Sequence, residues 1–85
     1  MIKVIEIKFY IEEKRCIAFD NHNKIGEACY VENGDAWNII HTFVKSEYQG
    51  QGIARKLVEC IQEQAVYNQK ELVADCTYAK KIISR

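Results

Sequence analysis

The apolar residues of this chain change their period just after Tyr48, and two glycines sit at the change. Before it, Ile5, Ile7, Phe9 and Ile11 alternate with Glu6, Lys8 and Tyr10, the two-residue period of a half-buried strand. After it, Ala54, Leu57, Val58, Ile61 and Ala65 fall on one helical face, with Arg55, Lys56, Glu59, Gln62 and Glu63 on the other. The first half subdivides further. Glu12-Glu13-Lys14 is a polar break, Cys16 to Phe19 a second strand, and Asp20-Asn21-His22-Asn23 a run of turn formers. Ile25 to Val31 reads as a third strand and Trp37 to Val44 as a fourth. Between them Asn33-Gly34 is a hairpin signal, both residues tolerating the positive φ of a type I′ turn. The helix is predicted from about Gly52 to Asn68, a fifth strand at Leu72 to Ala74, and a short last helix over residues 78–84. The order β-β-β-β-α-β-α implies an α+β fold, a mostly antiparallel sheet whose strands four and five, joined through one helix, run parallel.

With 85 residues the chain is expected to form a single domain over 1–85. Its 12 basic and 12 acidic residues cancel, which argues against a nucleic-acid partner, because such binding rests on a basic surface that neutralises phosphates. Apolar runs of four residues or fewer cannot span a bilayer, so no membrane partner is expected. The start lacks the apolar core of a signal peptide, and a cytoplasmic protein is the expectation. The cysteines at 16, 29, 60 and 76 have neither zinc-knuckle nor redox-motif spacing, so no metal is expected and free thiols are. Cys16, Cys29 and Cys60 lie in apolar surroundings and read as small core residues.

Gly50-Gln51-Gly52 therefore joins a strand to the N-terminus of the long helix. Such an end carries unsatisfied N–H groups and partial positive charge. Glycines allow close approach to the backbone, so the junction suits an anion such as a pyrophosphate. A P-loop would need Gly-Lys followed by Ser or Thr, which is absent, and a dinucleotide fingerprint would need glycine where Arg55 stands. Two glycines alone also fit an ordinary connection.

Gln49-Gly50-Gln51-Gly52-Ile53-Ala54 resembles the Q/R-x-x-G-x-G/A motif with which the GNAT acetyltransferase superfamily holds the pyrophosphate of coenzyme A. His41-Thr42-Phe43-Val44 before the loop and Cys76-Thr77-Tyr78 after the last strand are similar to segments of a minimal GNAT-like subfamily of about one hundred residues. The likeness runs over roughly residues 17–84. A tail beyond Arg85, common in relatives, is not expected here, so contacts from such a tail are not carried over. The resemblance implies a minimal GNAT fold with strands four and five splayed, diverging where His41 to Val44 faces Cys76. It implies acetyl-CoA or coenzyme A bound by Gln49, Gly50, Gln51, Gly52, Ile53 and Ala54, with the pantetheine arm along Phe43 and Val44. The implied reaction moves an acetyl group to the primary amine of an acceptor. A module that binds coenzyme A without efficient turnover is the alternative.

Transfer to an amine requires a neutral nitrogen, a polarised thioester carbonyl and a proton for the leaving thiolate. His41 is the base candidate, since histidine exchanges protons near neutrality; a histidine satisfied within the sheet is the structural alternative. Cys76 has three readings: covalent acetyl carrier, cleft lining, or buried thiol. Asp75 beside it is expected to raise its pKa. Tyr78 is a candidate proton donor to the thiolate, or an aromatic that packs the last helix. Lys80 and Lys81 either approach the phosphates or form a solvated helix end.

Overall fold

The computed structural model describes residues 4–83. Its elements are β1 (Ile5–Tyr10), β2 (Arg15–Asp20), β3 (Asn23–Asn33), β4 (Ala36–Val44), a 3₁₀ turn (Ser46–Tyr48), α1 (Ile53–Tyr67), β5 (Glu71–Ala74) and α2 (Thr77–Ile83). This is the expected order, with two adjustments. The 3₁₀ turn was not foreseen, and the helix starts one residue after Gly52, which caps it. Ser84, at the end of the expected last helix, lies outside the described residues.

The sheet has the order β1-β2-β3-β4-β5, antiparallel until β4 and β5, which are parallel. The β3–β4 hairpin is displaced by one residue from the expected turn. Asn33 pairs with Ala36, so the loop is Gly34-Asp35. Gly34 is at φ 64° while Asn33 and Asp35 keep negative φ. Glycine alone at the first central position is the type II′ pattern, not type I′.

Helix α1 covers one face of the sheet. Its buried stripe of Ile53, Leu57, Val58, Ile61 and Ala65 packs with Cys16, Ala18, Ala28, Tyr30, Trp37, Ile39 and Val44. Each fully buried aliphatic of this kind contributes about 1.5–3 kcal/mol. Gly26 sits close against β4 and α1. A Cβ there would meet the Phe43 carbonyl oxygen at 2.8 Å, Val44 Cγ2 at 3.2 Å and Leu57 Cδ1 at 3.4 Å. The opposite face of the sheet carries Arg15, Glu27, Cys29, Asn38, His41 and Phe43 and has no helix over it. Cys29 is thus not a core residue: it lies on this open face, with Sγ 3.6 Å from Glu27 Oε2. Cys16 is fully buried, and Cys60 is partly buried against the core.

One irregularity in β4 decides which side chains share a face. Cys29 pairs with His41 but Tyr30 pairs with Ile39, so Ile40 is an extra residue, a β-bulge. Strict alternation would put Trp37, Ile39, His41 and Phe43 on one face. The bulge breaks that register: Trp37 and Ile39 point to α1, and beyond Ile40 it is Thr42 and Val44 that do so. His41 and Phe43 turn to the open face, their rings stacked with centroids 6.5 Å apart.

Candidate active site

The parallel β4–β5 pairing stops at Ile39 and Ala74. The N–H groups of Asp75 and Cys76 both donate to the Ile39 carbonyl, at 3.0 and 3.1 Å. There the chain leaves the sheet and enters α2, while β4 continues to Val44. The two strands therefore diverge past Ile39, and the β4 backbone facing β5 has no strand partner there among the described residues.

A cleft of about 490 Å³ opens on the α1 side of this divergence, lined by Thr42, Val44, Tyr48, Gln49, Gly50, Gly52, Ile53, Ala54 and Tyr78. Gly50 and Gly52 have φ of 81° and 79°. At neither would a Cβ meet an atom within 4 Å, so the glycines are required by backbone conformation, and the space over the loop is open. The N–H groups of the first turn of α1 have no intrahelical partner, and they stand at the positive end of a 15-residue helix. The loop is tied down at its start: Gln49 Nε2 donates to the Val44 carbonyl at 3.0 Å, and the Tyr48 hydroxyl donates to Asp20.

Of the residues singled out in the sequence, Val44, Gln49, Gly50, Gly52, Ile53, Ala54 and Tyr78 share this cleft. Gln51 is exposed, its amide 3.5 Å from the Glu47 carbonyl. Lys80 and Lys81 are both exposed on α2. The Phe43 and His41 side chains point away from the cleft, and His41 Nε2 lies 3.6 Å from Glu27 Oε2. Glu27 is also bound by Arg15 at 2.7 Å and by Lys24. The Lys24 ammonium, with Arg15 beside it, holds the Glu27 carboxyl below the usual carboxylate range against the opposing effect of burial.

Cys76 adjoins the cleft through Thr42, Sγ standing 3.6 Å from Oγ1. Its thiol pKa is lowered. Burial pushes it up, but the Ala79 N–H, the Thr42 hydroxyl and the Tyr78 N–H together outweigh burial by favouring the thiolate. The net shift is downward, opposite to the direction expected from Asp75. That side chain accepts from Asn38 Nδ2 at 2.9 Å, while the Asp75 N–H donates to Asn38 Oδ1. Thr42 and Tyr48 are site residues to which sequence reasoning assigned no role. Thr42 stands inside the His-Thr-x-Val segment, but only the bulge shows that it, and not His41, faces the cleft.

A glycine-bent loop at a helix N-terminus thus opens into a split between parallel strands. The family model for GCN5-related N-acetyl-transferase matches residues 8–85. The chain belongs to this family. A GCN5-like protein from Staphylococcus aureus, solved by NMR, is 32% identical with a TM-score of 0.71, over 93% of this chain and 78% of that one. A ribosomal-protein-alanine N-acetyltransferase from Brucella melitensis shares the fold at 21% identity and TM-score 0.65, over 71% of this chain and 47% of its own. An aminoglycoside N-acetyltransferase in complex with coenzyme A does so at 18% and 0.64, over 82% and 53%. This chain thus spans about half the length of the latter two. No curated protein sequence matches it. Among the described residues no group of side chains could hold a metal ion, and no helix is long and apolar enough to cross a membrane.

Proposed function

We propose that this chain is an acetyl-CoA-dependent N-acetyltransferase acting on a primary amine. The observation that carries the reading is the cleft that runs from the Gly50–Gly52 loop to Thr42 and Tyr78, with the Cys76 thiol adjoining it through Thr42. The residues present fit coenzyme A: open space above two left-handed glycines accepts a pyrophosphate against the first-turn N–H groups of α1. Acetyl-CoA, when bound, supplies an acetyl group activated as a thioester.

The protein's part follows from the geometry. Gln49 and the Tyr48–Asp20 bond fix the shape of the phosphate loop. Thr42 and Val44 present an apolar wall with one hydroxyl to the pantetheine arm. Unpartnered β4 N–H groups beyond Ile39 polarise the thioester carbonyl, and a preorganised donor of this kind contributes about 3–4 kcal/mol to the barrier reduction. Tyr78, at the cleft, donates a proton to the leaving sulfur. Cys76 lines the far end while the amine attacks directly, which needs only position and a polarised carbonyl.

Calorimetric titration with coenzyme A, followed by free-thiol release from acetyl-CoA across a panel of amines and peptides, tests the reading. Absence of binding at millimolar coenzyme A defeats it. Binding with no turnover of any amine would make the chain a coenzyme A-binding module instead.

A further inference from the structure

Granted the coenzyme site just described, the side from which the acceptor arrives and its chemical class remain to be read. The open face of the sheet presents an apolar surface beside the β4–β5 divergence. Val31, Ile40, Phe43 and Val73 are 40%, 47%, 47% and 43% exposed there. This is a high exposure for four large apolar side chains on neighbouring strands, Val31 pairing with Asn38 and Asn38 with Val73. Set among them are two carboxylates and one imidazole. Asp75 follows Ala74, whose side chain is buried toward α1, so alternation sends Asp75 to the open side, where Asn38 fixes its carboxylate. His41 is stacked on Phe43 and held 3.6 Å from Glu27. Arg15 and Lys24 occupy Glu27 Oε1, while Oε2 lies between the imidazole and the Cys29 thiol, 3.6 Å from each.

We infer that the acceptor is a primary amine carried on an apolar body. It docks on Ile40, Phe43 and Val73 from the face of the sheet opposite α1, with Asp75 receiving its ammonium and His41 its proton. The ammonium gives one proton to His41. The nitrogen lone pair then forms the C–N bond as the thioester C–S bond breaks; Tyr78 protonates the departing thiolate, and the second proton shed by nitrogen restores the Tyr78 hydroxyl. Glu27 is a positioning residue that orients the imidazole. A polyhydroxylated amine fits this face poorly, because its hydroxyls would lose water against apolar side chains without finding partners.

The test uses the full chain with acetyl-CoA and two probes that differ mainly in their body, 2-phenylethylamine and ethanolamine. The expected kcat/KM preference for 2-phenylethylamine is about 10–200-fold, the range over which apolar pockets discriminate. Phe43→Ser should abolish most of it. Asp75→Asn should raise KM for the amine, whereas Glu27→Gln and His41→Gln should lower kcat with KM little changed. All four variants should keep the wild-type affinity for coenzyme A. NMR titration of the coenzyme A-saturated protein with 2-phenylethylamine reads the docking face without turnover, and the amide shifts should cluster at Ile40, Phe43 and Val73. Equal use of the two amines overturns the inference, as do shifts confined to the α1 side, or no shifts at all, while coenzyme A still binds. Failure of coenzyme A itself to bind would instead sink the underlying acetyltransferase reading.

Discussion

Gly26→Ala should destabilise this protein, although simple chain statistics point the other way. Replacing glycine inside a strand with alanine lowers the entropy of the unfolded chain and normally stabilises by about 0.4–1 kcal/mol. Gly26 has no positive φ to forbid the change. The obstacle is space: the new Cβ would stand 2.8 Å from the Phe43 carbonyl oxygen, a backbone atom that cannot rotate aside, and 3.2 Å from Val44 Cγ2. Overpacking of this kind costs about 1–3 kcal/mol, so taking the middle of both ranges the net loss is about 1.3 kcal/mol. For a domain of this size that lowers Tm by roughly 5–10 °C. Thermal unfolding followed by circular dichroism measures it directly. Relief must come from moving β4 away from β3, and β4 carries Val44 into the cleft, so affinity for coenzyme A should fall alongside Tm. An unchanged or higher Tm would show that the closeness of the layers at Gly26 is not a constraint and would refute the reasoning.

Gly52→Ala should cost about 1–2 kcal/mol from its left-handed backbone alone. Gly52→Val should add a side chain over the loop and largely abolish coenzyme A binding, measured by calorimetry, while circular dichroism still reports a folded chain. Cys76 should react with iodoacetamide with a pH midpoint below that of an ordinary thiol, about 8.5. Coenzyme A should protect it, and Thr42→Val should move the midpoint upward. Cys76→Ser should retain much of any transfer activity; stoichiometric acetylation of Cys76 that an amine discharges at the turnover rate would establish the covalent route instead. Glu27 has a carboxyl held low in the folded state, so its contribution is complete above its unfolded value of about 4.3 and lost as pH falls through the folded one. Urea titrations from pH 6 to about 3 should accordingly show a steeper acid loss in the wild type than in Glu27→Gln.

The sequence by itself determined the elements and their order, because those signals are local. The alternation of Ile5 to Ile11, the helical stripe from Ala54 to Ala65 and the turn residues each act within a few positions of themselves. The glycine loop was equally legible, since a strand, two glycines and a helix N-terminus are consecutive in the chain. Tertiary structure decided which side chains meet. The bulge at Ile40 exists only in the pairing of β4 with β3, two strands whose register no local pattern reports. That one extra residue turns Thr42 to the cleft and His41 and Phe43 to the open face. The hairpin moved by one residue for the same reason, its register being set by the whole β3–β4 ladder rather than by the preference of Asn33-Gly34. The character of Cys76 was likewise hidden. Its neighbour in sequence, Asp75, is engaged by Asn38, 37 positions away, while the groups that favour its thiolate include Thr42, 34 positions away. Electrostatics depends on distance through space, and that distance is fixed only when the sheet closes.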